Sequence, residues 1–132
     1  MTTRATGPFD VKITPQATDT PTEGSPLGRM SIDKQFHGDL EAVSKGEMLS
    51  VMGGVKGSAG YVAMERVTGT LQGHAGSFAL QHSGTMTRGE AGLKVSVVPD
   101  SGTDDLTGLT GEMQILIADG KHSYEFECSI KR

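Results

Sequence analysis

The chain has one cysteine, Cys128, so no internal disulfide can staple it, and a reducing cytoplasm is the compartment to expect. Tryptophan is absent, and aromatic residues make up only 5% of the total. The core must therefore come mainly from aliphatic side chains. No apolar run reaches about 20 residues, so no membrane span is expected. The opening Met-Thr-Thr-Arg-Ala-Thr-Gly has no apolar signal core. Positive charge is in deficit, with a formal net charge of −4. A general nucleic-acid binder would carry a basic patch instead. Helical periodicity is missing as well, since no window repeats apolar residues at i, i+3, i+4 and i+7.

What is present is glycine, 19 residues in 132, set among short alternating runs. That combination points to an all-β barrel or sandwich in a single domain over 1–132. Phe9, Val11 and Ile13 alternate with polar neighbours and predict a first strand ending near Pro15. Residues 16–27 read as a loop, either a solvated connector or a flap over a pocket. The alternation of Met30, Ile32, Lys34, Phe36, Gly38, Leu40 and Ala42 predicts one long strand bent at Gly38, because a tight hairpin there would break the pattern. Lys34 is the lone charge on this apolar face. It either snorkels to the rim or points into the interior and needs a carboxylate such as Glu65. Lys45-Gly46-Glu47 reads as punctuation before a short strand at 48–52. Gly53 to Gly57 is a glycine-rich loop without the Gly-Lys-Ser/Thr ending of a phosphate cradle.

The stretch from Gly60 to Gly84 reads as two long strands, with His74-Ala75 as the turn inside Gly73-His74-Ala75-Gly76. Leu71 then faces Phe78, and Val67 faces His82. One face carries Tyr61, Ala63, Glu65, Val67, Leu71, Phe78, Leu80 and His82. Glu65 and His82 become diagonal neighbours roughly 7–8 Å apart at their backbones. Thr85 to Gly92 reads as a polar connection, Leu93 to Val97 as a strand, and Pro99 to Asp105 as an acidic turn. Asp119-Gly120 is the strongest two-residue hairpin signal. It sets Ile117 against His122, Ile115 against Tyr124 and Met113 against Phe126, with Cys128 and Ile130 continuing the face. Val62, Met64, Val98 and Leu116 are left on the outer side. They suggest a subunit interface, so a homo-oligomer, with a dimer favoured, is expected.

The runs 28–40, 56–71, 76–84, 97–103 and 120–124 resemble a family of small bacterial proteins of unknown function, over nearly the whole chain. The resemblance implies a single antiparallel eight-stranded β-barrel similar to the allene oxide cyclase fold. That fold is shared with plant proteins that bind apolar or phenolic intermediates inside the barrel. The family has no assigned reaction, so the resemblance transfers no catalytic residue.

The expected interior is an apolar lining with polar groups set into it. Lys34, Phe36, Tyr61, Glu65, Phe78, His82, His122 and Tyr124 are the candidate ligand-binding residues. Glu65 and His82 are the candidate catalytic pair. The competing reading makes Glu65–His82 a satisfied structural network and the tyrosines core aromatics. No metal-ligand cluster of known spacing and no Ser–His–Asp signature occurs, so neither a metal nor a cofactor is expected. Three functions remain open: a barrel binding a small apolar molecule in its lumen, an isomerase or cyclase-like enzyme in which Glu65 or His82 moves a proton, and a filled structural module that builds a homo-oligomer.

Overall fold

The computed structural model describes residues 2–16 and 27–131. The loop or flap expected at 16–27 lies, from 17 to 26, outside the described residues. Eight strands follow one another: β1 (Thr3–Gln16), β2 (Leu27–Phe36), β3 (Leu40–Met52), β4 (Ala59–Leu71), β5 (His74–Thr87), β6 (Glu90–Val97), β7 (Leu109–Ala118) and β8 (Lys121–Ile130). They pair antiparallel in chain order, and β8 returns to β1 to close a barrel. The expected eight-stranded architecture is borne out. Among the described residues the one helical element is a 3-10 turn, Asp104–Leu106. Among the described residues no helix is long and apolar enough to cross a membrane.

Strand alternation sends every second side chain inward. Those residues fill one half of the barrel and leave the other half open. The filled half holds Phe36, Leu40, Phe78, Leu106, Tyr124 and Phe126, all essentially without solvent access. Phe36 meets Tyr124 edge-on at 5.5 Å, and Phe78 stacks on Phe126 at 5.8 Å. At the opposite end the inward positions Ile13, Leu93 and Ile117 are 49%, 46% and 68% exposed, so none of the described residues caps them.

The segment read as one strand bent at Gly38 is two strands. Phe36 pairs with Ala42 and Lys34 with Ser44 across a hairpin. A two-residue turn would have inverted the inward pattern. Residues 37–41, an odd number, separate the two members of the last rung, Phe36 and Ala42, so both strands keep their apolar face. Gly38 takes the positive φ of 96° that the turn needs. β3 then runs straight through Lys45-Gly46-Glu47, and β5 and β6 run through most of 85–92.

The central hairpin forms in a different register from the expected one. Val67, not Leu71, faces Phe78, and Leu71 faces His74. The turn is Gln72-Gly73, with φ of 48° and 85°, both positive as a type I′ turn requires. The difference is four residues, an even number, so the inward set is unchanged. Arg88-Gly89 repeats this turn with φ of 49° and 94°, and Asp119-Gly120 with 52° and 75°. The C-terminal hairpin pairs as expected: Ile117 with His122, Ile115 with Tyr124, Met113 with Phe126.

One seam is short. β6 and β7 share two rungs, Val95–Met113 and Ser96–Glu112, whereas β4 and β5 are paired from Ala59–Met86 to Leu71–His74. A cleft of about 210 Å³ flanked by Leu93, Lys94, Glu112 and Gln114 occupies the slit. On the outer surface, Val62 and Met64 join Leu49 and Val51 in an exposed apolar patch on β3 and β4. Leu116 lies on β7, away from that patch, and Val98 is half-buried after β6.

The filled end is tied together by Tyr124. Its hydroxyl donates to the carbonyl of His37 at 2.7 Å and accepts from the backbone N–H of Leu40 at 2.8 Å. Gly7 packs against this knot, where a Cβ would stand 2.0 Å from the His37 carbonyl oxygen. Replacing Tyr124 with Phe leaves the buried Leu40 N–H unsatisfied. Tyr124→Phe is expected to lower stability by about 1–3 kcal/mol with the barrel intact, read from the urea midpoint beside the far-UV spectrum.

Candidate functional site

The inward residues of β2 to β5 converge halfway along the barrel. Lys34, Ser44, Glu65 and His82 come from four consecutive strands and are all buried. Gly46 makes the arrangement possible. It pairs with Glu65 across β3–β4, and a Cβ there would stand 2.2 Å from the Met64 carbonyl oxygen and 2.7 Å from the Glu65 Cα. Only glycine lets the strands approach this closely behind the carboxylate.

Both Glu65 oxygens are occupied. Oε1 accepts from Ser44 Oγ at 2.8 Å. Oε2 accepts from Lys34 Nζ at 2.8 Å and meets His82 Nε2 at 2.5 Å. Burial alone would push this carboxyl up. The His82 hydrogen bond and the Lys34 ammonium outweigh it and hold Glu65 at about 2, down from 4.5. An ionised carboxylate can only accept, so a neutral His82 carries its proton on Nε2. Its Nδ1 then faces the Tyr61 hydroxyl at 3.5 Å. Burial first, and the Glu65 charge second, push the Tyr61 phenol up. The Lys34 ammonium also lies over the rings of Phe9 and Phe36, at 5.2 and 5.7 Å.

Above this cluster the open half of the barrel contains a cavity of about 240 Å³. Its walls are apolar, with Val11, Ile13, Ile32, Met48, Leu93 and Ile117 prominent. Lys34, Tyr61, His82 and His122 bring polar atoms to it. Four of the eight candidate residues thus share one cavity, and Glu65 lies immediately beneath, bonded to two of them. Phe36, Phe78 and Tyr124 pack the filled half instead. Lys34 points inward onto Glu65 rather than to the rim. Glu65 and His82 are diagonal neighbours, as expected, but through different partners: Glu65 pairs with Leu80 and His82 with Ala63.

Sequence reasoning passed over Ser44 and Gly46. Extending the alternation of Leu40 and Ala42 by two and four residues finds both. Glu65 and His82 could supply two ligands to a metal, but the Lys34 ammonium on Oε2 opposes a cation there. Among the described residues no group of three His, Cys, Asp or Glu is arranged to hold one.

The pattern of a family described as "Protein of unknown function (DUF3224)" matches residues 5–128. The crystal structure of a DUF3224-family protein of unknown function from Shewanella oneidensis MR-1 is 53% identical, with 100% of each chain covered and a TM-score of 0.95. These matches agree with the small bacterial family of unknown function expected from the sequence. No curated protein matches the chain.

The depressed Glu65 value sets a pH dependence. An unfolded chain takes up the Glu65 proton near pH 4.5 and the folded one only near pH 2. The contribution is complete above that window and is lost as pH falls through it, amounting to about 3 kcal/mol. Glu65→Gln should flatten this part of the stability profile and cost about 3–5 kcal/mol at neutral pH, because Lys34 is left buried without its counter-charge. Urea titrations of both proteins across pH 2–6 measure the difference. Parallel profiles would contradict the assignment.

Proposed function

The chain belongs to the DUF3224 family, whose description assigns no activity, and we propose from the barrel itself that it binds a small, largely apolar molecule in its lumen. The observation that carries this reading is an apolar cavity of about 240 Å³ standing open over a buried charged floor. Protein interiors close voids wherever side chains can reach, yet here Ile13, Leu93 and Ile117 stay exposed around the mouth. The volume is just under the roughly 300–1,000 Å³ of drug-sized sites. It suits a compact molecule, or the inner end of a longer one. A reducing cytoplasm remains the compartment we propose, on the single buried Cys128.

A second reading, proton transfer on a bound molecule, draws support from the row Glu65–His82–Tyr61. With its carboxyl near 2, Glu65 is a poor proton acceptor at neutral pH. In this reading His82 is the base, and Glu65 orients it. We also propose that two copies pair through the β3–β4 patch of Leu49, Val51, Val62 and Met64.

Native mass spectrometry of protein purified from its own host, followed by denaturing extraction, tests the binding reading. A small-molecule adduct is expected on the wild type and should be lost in Val11→Trp, which fills the cavity. No adduct, together with no thermal shift from millimolar small apolar compounds, would overturn it. The same spectra give the subunit count, where a dimer that Val62→Glu converts to monomer is expected.

A further inference from the structure

Among the four buried residues of the floor, Lys34, Ser44, Glu65 and His82, unused donor capacity lies on Lys34. Glu65 Oε1 is taken by Ser44, and Oε2 by Lys34 and His82. His82 has both nitrogens engaged, Nε2 with Glu65 and Nδ1 with Tyr61. Lys34 differs. An ammonium has three donors, and among the described residues Lys34 Nζ has one hydrogen-bond acceptor, Glu65 Oε2. Its other neighbours are the faces of Phe9 and Phe36. The side chain is only 5% exposed, and it lines the cavity.

The charge balance differs from the donor balance. The Lys34 ammonium already stands against the ionised Glu65 at 2.8 Å. As a pair, Lys34 and Glu65 carry no net charge. A carboxylate entering the lumen would be a second buried anion with no free counter-ion, at a large desolvation cost. An uncharged oxygen acceptor meets no such cost and gains a charge-assisted hydrogen bond.

Resting on the lumen-binding reading, we propose that the ligand carries an uncharged carbonyl oxygen on an apolar skeleton, and that Lys34 Nζ donates to that oxygen. The skeleton lies along Val11, Ile32 and Met48. The carbonyl points down to the floor, and the rest of the molecule faces the mouth at Leu93 and Ile117. Lys34 selects for ligand chemistry, and the apolar walls contribute the bulk of the affinity.

The test uses four probes of similar size: heptan-2-one, heptan-2-ol, heptanoate and 2-methylheptane. Affinities are measured at neutral pH by titrating the methyl resonances of Met48 and Ile32. Heptan-2-one is expected to bind at least about tenfold more tightly than 2-methylheptane, the scale of one hydrogen bond to a charged donor, and more tightly than heptanoate. The infrared carbonyl stretch of bound, carbonyl-labelled heptan-2-one should fall below its value in hydrocarbon. Lys34→Met with Glu65→Met removes the ion pair as a unit and should abolish both the preference and the infrared shift while hydrocarbon binding persists. Because the infrared shift is read on the wild type, the inference stays falsifiable if that double variant does not fold. Equal affinity for ketone and hydrocarbon would overturn the inference and leave lumen binding standing. Tightest binding of heptanoate would also overturn it, by showing that the floor selects charge. Binding of none of the four would remove this inference and the lumen reading together.

Discussion

The carboxylate of Glu65 is the point on which the open half of the barrel depends. Its two oxygens reach side chains from three other strands, Lys34 on β2, Ser44 on β3 and His82 on β5. Each partner alone would be a buried polar group in need of a bond. Together they satisfy one another, and no buried side-chain nitrogen or oxygen among the described residues lacks a partner. Such a cluster is not the cheapest way to stabilise a core, since apolar side chains of similar volume do as well or better. Its consequence is geometric. A hydrogen-bonded floor cannot be covered by leucine without leaving polar atoms stranded, so the apolar packing stops there and the cavity begins.

The two halves of the barrel therefore follow different rules. Below the cluster, Phe36, Phe78 and Phe126 interlock, and the Tyr124 hydroxyl ties the β2–β3 connection to β8. Above it, the walls are aliphatic and the rim is exposed. Gly46 connects the halves, because its missing side chain lets β3 and β4 close behind Glu65. The rigidity of the lower half fixes where the polar floor stands, which any selective pocket requires.

The alternation of side chains was readable because period two survives errors of register. The central hairpin shows this. Its turn at Gln72-Gly73 displaces every expected pair by four residues, yet Glu65 and His82 remain diagonal neighbours, since the even displacement carries His82 from one side of Glu65's partner to the other. The turns themselves were harder to see. Asp119-Gly120 carries residue types that favour positive φ, whereas Gln72 and Arg88 do not, and only the glycine after each marks the turn. The hairpin at 37–41 was hidden for a different reason: an odd-length connection leaves the alternation unbroken. The division into a filled and an open half could not be read at all. Whether Phe36 or Val11 faces a cavity depends on height along the barrel axis, and that is set by the stagger between strands, not by alternation within one.

The short β6–β7 seam gives the barrel the character of a curled page whose two margins barely meet. The other strand pairs are laced along much of their length, while this one is held at Val95–Met113 and Ser96–Glu112. Lys94, Glu112 and Gln114 along the slit are charged or polar and so make poor docking partners for a foreign strand. Leu93 borders both the slit and the lumen. Spreading the margins widens the lumen sideways at the cost of at most two rungs, whereas widening it anywhere else means tearing a long ladder. A molecule too broad for the mouth thus has a cheaper route through the wall than through the rim.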